Sequence, residues 1–232
     1  ILAAREADAL YVRFDNYVDG QVNLSWRQIR VFRRERYVYK YREHEVPVAL
    51  VDSPSVIDAD IVFQHRAPDG RATGKKEPML ARLTFDAREN PTDPHPLYFL
   101  HRECLNQGQY ERAIELGQRY LGLTSAGGYV QADVHGNIAM AYQNLGNHAE
   151  ATKQMHLAAA CEPNKREWLY KLAVLYSRQS LWTVALAMLR AAAELTPSAD
   201  RQWEPQTTAR IYDLMNICQQ NIAHALAHSH TH

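Results

Sequence analysis

The chain has 232 residues, with 26 Lys and Arg against 26 Asp and Glu, a formal net charge of +0. Its 46% apolar content, with ten Gly and ten Pro, is that of a globular chain of one large or two modest domains, not of a disordered or collagen-like one. Neutrality excludes a chain-wide nucleic-acid surface or acidic tail, and no run approaches the ~18 consecutive apolar residues of a membrane helix.

From the start of the chain, Ile1-Leu2-Ala3-Ala4-Arg5-Glu6 lacks the basic and apolar pattern of a signal peptide. The absent initiator Met fits a trimmed chain or a fragment. Residues 1–75 contain short runs rich in β-branched and aromatic residues: Ala9-Leu10-Tyr11-Val12-Arg13-Phe14, Gln28-Ile29-Arg30-Val31-Phe32-Arg33, Tyr37-Val38-Tyr39-Lys40-Tyr41 and Asp60-Ile61-Val62-Phe63-Gln64. Ile29, Val31 and Arg33 alternate with Arg30, Phe32 and Arg34, the period of a strand. Turn signals at Asp19-Gly20, Pro47, Ser53-Pro54 and Asp69-Gly70 separate the runs. Four short strands bury little alone and need a partner surface. Residues 26–42 hold seven basic side chains (Arg27, Arg30, Arg33, Arg34, Arg36, Lys40, Arg42) against Glu35 alone. That local excess suggests a phosphate-bearing partner.

Residues 76–228 carry helical periodicity. A first helix is expected at 76–89, with Met79, Leu80, Leu83 and Phe85 apolar, stopped by Asn90-Pro91. A repeat follows. Tyr142, Gly146, Ala151, Ala158 and Pro163 recur 34 residues later as Tyr176, Ser180, Ala185, Ala192 and Pro197. An earlier copy holds Leu100, Gly108, Tyr110 and Ala113, and the 38-residue offset from Ala113 to Ala151 implies a four-residue insertion around residues 124–128. The small Ala sits where two helices cross, Gly ends a first helix in a left-handed cap, and Pro stops a second helix. Residues 205–227 read as a capping helix with Ile211, Leu214, Met215, Cys218 and Ile222 inward. Cys104, Cys161 and Cys218 are odd in number and widely spaced, so they are expected as buried apolar side chains in a reducing, cytoplasmic setting. His224, His228, His230 and His232 form a loose terminal cluster that reads as a frayed tail.

The 34-residue period with these positions resembles the tetratricopeptide repeat (TPR), in copies at about 94–127, 132–165 and 166–199. The expected fold is therefore mainly α: a TPR-like solenoid over 76–228, preceded by a small, partial α+β segment over 1–75.

That first segment resembles the C-terminal end of the catalytic domain of bacterial family 2 glycosyltransferases of the GT-A fold. The resemblance rests on Trp26-Arg27-Gln28-Ile29-Arg30-Val31-Phe32-Arg33-Arg34, the aromatic run from Tyr37, His44-Glu45-Val46-Pro47 and a later strand closing in His65, with repeats following. It implies Arg30 and Arg33 near a diphosphate, though strand alternation turns one of them away. It also implies His44 beside the metal and Glu45 orienting it or lining the acceptor side. The nucleotide-sugar donor and a divalent cation (Mg or Mn) would require the family's nucleotide-binding half, Asp-x-Asp motif and catalytic carboxylate. Those belong upstream of residue 1, so the chain alone is expected to be inactive. Asp58-Ala59-Asp60 follows His44-Glu45 and reads as a turn leading into a strand, and the basic stretch at 70–76 lacks phosphate-loop spacing.

The alternative is a non-catalytic adaptor in which the solenoid holds a peptide or protein on the face of its first helices, with His101, Asn137 and Lys171 toward the groove. Exposed sheet edges and solenoid ends also invite homo-oligomers.

Overall fold

The computed structural model describes residues 6–18, 20–66, 76–124, 128–195 and 206–229. The expected turn at Asp69-Gly70, the stretch at 70–75, most of the insertion near 124–128, Pro197, and His230 and His232 lie outside these residues. The chain forms two compact units that divide between Glu89 and Asn90.

Among its described residues the first unit holds the strands β1 (Ala9–Val18), β2 (Gln21–Phe32), β3 (Tyr37–Lys40), β4 (Val46–Ala49) and β5 (Val56–Arg66) and the helix α1 (Lys76–Glu89). A three-stranded sheet has the order β2-β1-β5, with β1 antiparallel to β2 and parallel to β5. β3 and β4 form a separate antiparallel hairpin. Gly20, at φ 78°, supplies the left-handed turn residue before β2. Leu10 and Val12 of β1 pack with Ala7, Ile57 and Ala59, the apolar face of the sheet.

Three local readings change. Pro47 sits inside β4 opposite Tyr39 rather than in a turn. A two-stranded hairpin has only edge strands, so a residue lacking N–H is tolerated there. Asp58-Ala59-Asp60 lies within β5, where Asp58 meets the Arg27 guanidinium at 2.7 Å instead of marking a turn. In β2, Leu10 pairs with Val31 and Tyr11 with Ile29, so Arg30 is the extra residue of a bulge and the alternation breaks there.

The division at Glu89 places α1 with the strands rather than with the repeats. Its buried Asp86 accepts the Arg42 backbone N–H at 2.7 Å and the Arg42 guanidinium at 2.9 Å. Arg82 pairs with Glu43, and the Arg42 guanidinium lies 3.7 Å from the Phe85 ring centroid. These contacts fix the five-residue connection between β3 and β4, in which Tyr41 and His44 are left-handed at φ 71° and 52°.

The second unit stacks helical pairs: α2 (Pro94–Asn106) with α3 (Tyr110–Leu123), α4 (Tyr129–Asn144) with α5 (His148–Cys161), and α6 (Arg166–Arg178) with α7 (Trp182–Glu194). The long α8 (Gln206–Ser229) packs on α7 through Ile211 and Cys218, with Leu214, Met215 and Ile222 beside them. Asp93 caps α2 by accepting the His95 N–H, with Pro94 in the first turn. Each first helix ends in the same pair of hydrogen bonds. Gly146 N–H donates to Gln143 O, and Asn147 N–H to Tyr142 O; Gly108 and Ser180 repeat the pattern. All three cap residues are left-handed, at φ 74°, 78° and 60°. Ala113, Ala151 and Ala185 are fully buried at the crossings of the pairs. Cys104 and Cys218 are buried and Cys161 half-buried; burial raises all three thiols, which suits inert packing.

Candidate functional site

The first helices α2, α4 and α6 carry a connected polar network. Asp133 on α4 is its centre. The Tyr98 hydroxyl on α2 donates to Asp133 Oδ2 at 2.8 Å, and Asn137 Nδ2 donates to the same oxygen at 3.3 Å. Arg102, one turn along α2, donates to the Tyr98 hydroxyl at 3.3 Å and lies 5.3 Å from its ring centroid. Burial, with Asp133 beside it, pushes the Tyr98 hydroxyl well above its ordinary value, so it stays a neutral donor.

Lys171 on α6 completes the row. Its Nζ stands 4.3 Å from the centroid of the Trp168 ring, and its chief favourable charge is Asp133. Burial lowers its affinity for the proton. Trp168 is itself pinned: its indole N–H donates to Glu162 at 3.0 Å, and its ring fills the space left by Gly136. A Cβ on Gly136 would lie 2.6 Å from a Trp168 ring carbon. Beside Tyr98, Phe99 packs edge-on against both Tyr98 and His95, adding an aromatic patch at the α2 end.

Asn137 and Lys171 are half-buried beside Asp133 and keep part of their surface open to solvent. His101 does not. It is fully buried, with Nδ1–H donating to Ala113 O at 2.6 Å, and its ring lies over Gly117 of α3. The repeat alignment explains this. His101 occupies the position of Ala139 and Ala173, and Gly117 that of Met155 and Leu189. Large and small have changed places in the first repeat, so the imidazole fills its core. Sequence reasoning missed Tyr98, Arg102 and Asp133, although Tyr98 lies three residues before His101 and Asp133 four before Asn137, both at helical spacing.

The residues of the glycosyltransferase resemblance are scattered over different local settings. Arg30 lies 5.4 Å from the Phe14 ring centroid. Arg33 donates from Nε to Ala7 O at 3.0 Å and lines a shallow cavity of about 460 Å³ with Glu6, Asp8, Glu35 and Arg36. Three carboxylates against two guanidiniums make that cavity a poor host for a diphosphate. His44 and Glu45 are exposed on the β3–β4 connection and do not line it. Among the described residues no group of three or more His, Cys, Asp and Glu side chains is placed to hold a metal ion, so the metal role implied for His44 gains no co-ligands here. The basic excess at 26–42 is also largely answered in space. Arg27 pairs with Asp58, Arg33 with Glu35, Arg36 with Asp8 and Arg42 with Asp86. Among the described residues, no helix is long and apolar enough to cross a membrane.

No protein-family model matches the chain, and no curated protein matches it. Solved structures do. A crystal structure of MamA overlaps with a TM-score of 0.55 at 15% identity, covering 68% of this chain and 86% of that one. The APC/C hetero-tetramer Cut9–Hcn1 overlaps at 0.52 and 19% identity, covering 62% of this chain and 27% of that one. The helical unit is a TPR-like solenoid. At these identities the likeness is one of fold. It supports the repeats and adds nothing to the glycosyltransferase reading.

Proposed function

We propose that the chain is a protein-interaction adaptor whose TPR-like unit binds an extended segment of a protein partner along α2, α4 and α6. The observation that carries this reading is the Tyr98–Asp133–Asn137 network with Lys171 beside it: three repeats contribute polar groups to one row. Asp133 is already held by two donors, so its carboxylate is oriented before a partner arrives, which lowers the ordering cost of binding. Asn137 offers an amide that both donates and accepts, suited to a peptide backbone. Lys171 is a half-buried ammonium stacked on an indole, suited to an acidic side chain. The aromatic patch of His95, Tyr98 and Phe99 gives an apolar side chain a place to pack.

The test is selection of peptides from a random displayed library on the full chain, followed by calorimetric titration of the selected peptides. Asn137→Ala and Lys171→Ala are each expected to weaken binding about tenfold, about 1.4 kcal/mol, with the helical circular dichroism unchanged. Arg190→Ala, on the exposed face of α7, is the control and should bind normally. Selected peptides that bind both groove variants as tightly as the wild type would overturn the reading.

A further inference from the structure

We propose that β5 is the seam of a two-fold dimer, pairing antiparallel with β5 of a second copy about Phe63. Among the described residues β5 pairs only with β1, so its other edge is unpaired over an 11-residue strand. Ile61, Val62 and Phe63 are consecutive and each is 38–40% exposed. Consecutive strand residues point to opposite faces, so this exposure lies on both faces at once. A long edge with apolar side chains on both faces is what natural sheets avoid unless the edge is used.

The register with β1 fixes which side chains share a face. Tyr11 pairs with Asp58 and Arg13 with Val62, so three residues, Ala59, Asp60 and Ile61, oppose Val12. Two extra residues leave the alternation in phase. Asp58, Asp60, Val62, Gln64 and Arg66 therefore share one face, and Ile57, Ala59, Ile61, Phe63 and His65 the other. The contacts agree: Ile57 and Ala59 pack on Leu10 and Val12, and His65 stacks on Phe14 at 5.8 Å. From Val62 to Arg66 the strand is regular.

This pattern is self-complementary in one sense of pairing. With the two-fold at Phe63, Phe63 faces its own copy, Ile61 faces His65, Val62 faces Gln64 and Asp60 faces Arg66. Asp60 has no ion-pair partner among the described residues, and the Arg66 guanidinium rests on the Tyr17 ring at 4.3 Å, at the exposed end of the strand. Two Asp60–Arg66 pairs thus flank a central Phe63–Phe63 contact. A parallel, in-register pairing would instead set Asp58 and Asp60 against their own copies, and like charges directly opposite are unfavourable. Slipping the antiparallel register by one residue would set the polar face against the apolar one.

The test is the mass of the full chain by light scattering and sedimentation across the micromolar range. The wild type is expected to form a concentration-dependent dimer. Phe63→Lys should be monomeric with unchanged circular dichroism, because a lysine on the strand would desolvate its charge at the seam. Asp60→Arg and Arg66→Asp should each weaken the dimer about tenfold, and the double variant Asp60→Arg/Arg66→Asp should restore it. Phe63→Cys should give a disulfide-linked dimer under oxidation. A wild type that stays monomeric throughout, a dimer that survives Phe63→Lys, or single charge reversals that the double variant does not rescue would each overturn the proposal.

Discussion

His101 and Gly117 behave as one unit of packing. The imidazole fills space that Met155 and Leu189 fill from the opposite helix in the other repeats, and a Cβ on Gly117 would lie 2.9 Å from its ring. Either residue changed alone should cost about 1–3 kcal/mol, His101→Ala by leaving a hole and Gly117→Leu by overfilling it. The double variant should recover most of that loss, which a double-mutant cycle in denaturant measures directly. The same burial gives a pH dependence. Nδ1 is spent on Ala113 O, Nε2 has no hydrogen-bond partner among the described residues, and burial lowers the imidazole below its ordinary 6.5, against the smaller pulls of the Ala113 carbonyl and Asp133. The unfolded chain binds the proton that the folded chain refuses, so stability is greatest above about pH 6.5 and falls as the pH drops below it. Thermal midpoints between pH 7.5 and 5 should show this slope in the wild type, and His101→Ala/Gly117→Leu should flatten it. His101 was misplaced from the sequence because its burial depends on Gly117, sixteen positions on in the next helix. At Ser180 the alignment does carry the structure: it stands at the Gly146 position and adopts the same left-handed cap, at a cost glycine would not have.

Among the elements, the helices were legible and the strands less so. Helix α1 was expected at 76–89 and spans Lys76–Glu89, because apolar spacing and Asn90-Pro91 bracket it. The pairs α2–α3, α4–α5 and α6–α7 follow from the 34-residue period. Strand β4 was missed because Pro47 punctuates it, and the edge position that excuses Pro47 is a fact of pairing, not of local sequence. What α1 packs against was equally illegible. The bonds from Asp86 to Arg42 and from Arg82 to Glu43 join residues about forty positions apart. Asp86→Ala should cost about 1–3 kcal/mol, since it leaves the Arg42 N–H without its acceptor. Chemical denaturation measures the loss, and faster hydrogen exchange at the Arg42 amide would localise it. Unchanged exchange there would mean that the β3–β4 connection is held by other contacts.

At the scale of the whole chain, pairing in the fold reduces the local basic excess. Four of the seven basic residues between 26 and 42 find carboxylates in the fold, three of them from distant segments. Exposed pairs of this kind add little stability each, but they weaken the field that a polyanion would feel. The chain is therefore expected to show no retention on heparin and no binding of single-stranded RNA at about 0.15 M salt; salt-sensitive binding in either assay would mean that the pairs leave a net positive patch. The solenoid was legible from periodicity alone, while the polar row on α2, α4 and α6 was only half legible, because Asp133 finds its hydrogen-bond donor Tyr98 one repeat away. Gly136 carries that thought further. The first helices place Tyr98, Gly136 and Tyr170 at the same repeat position, and only the middle one has no side chain. The Trp168 ring occupies the vacancy, so the distance between α4 and α6 is gauged by an absent atom. Asp133 and Lys171 sit on those two helices. The spacing of the charges that a partner would read is thus calibrated by a residue that presents no side chain to it.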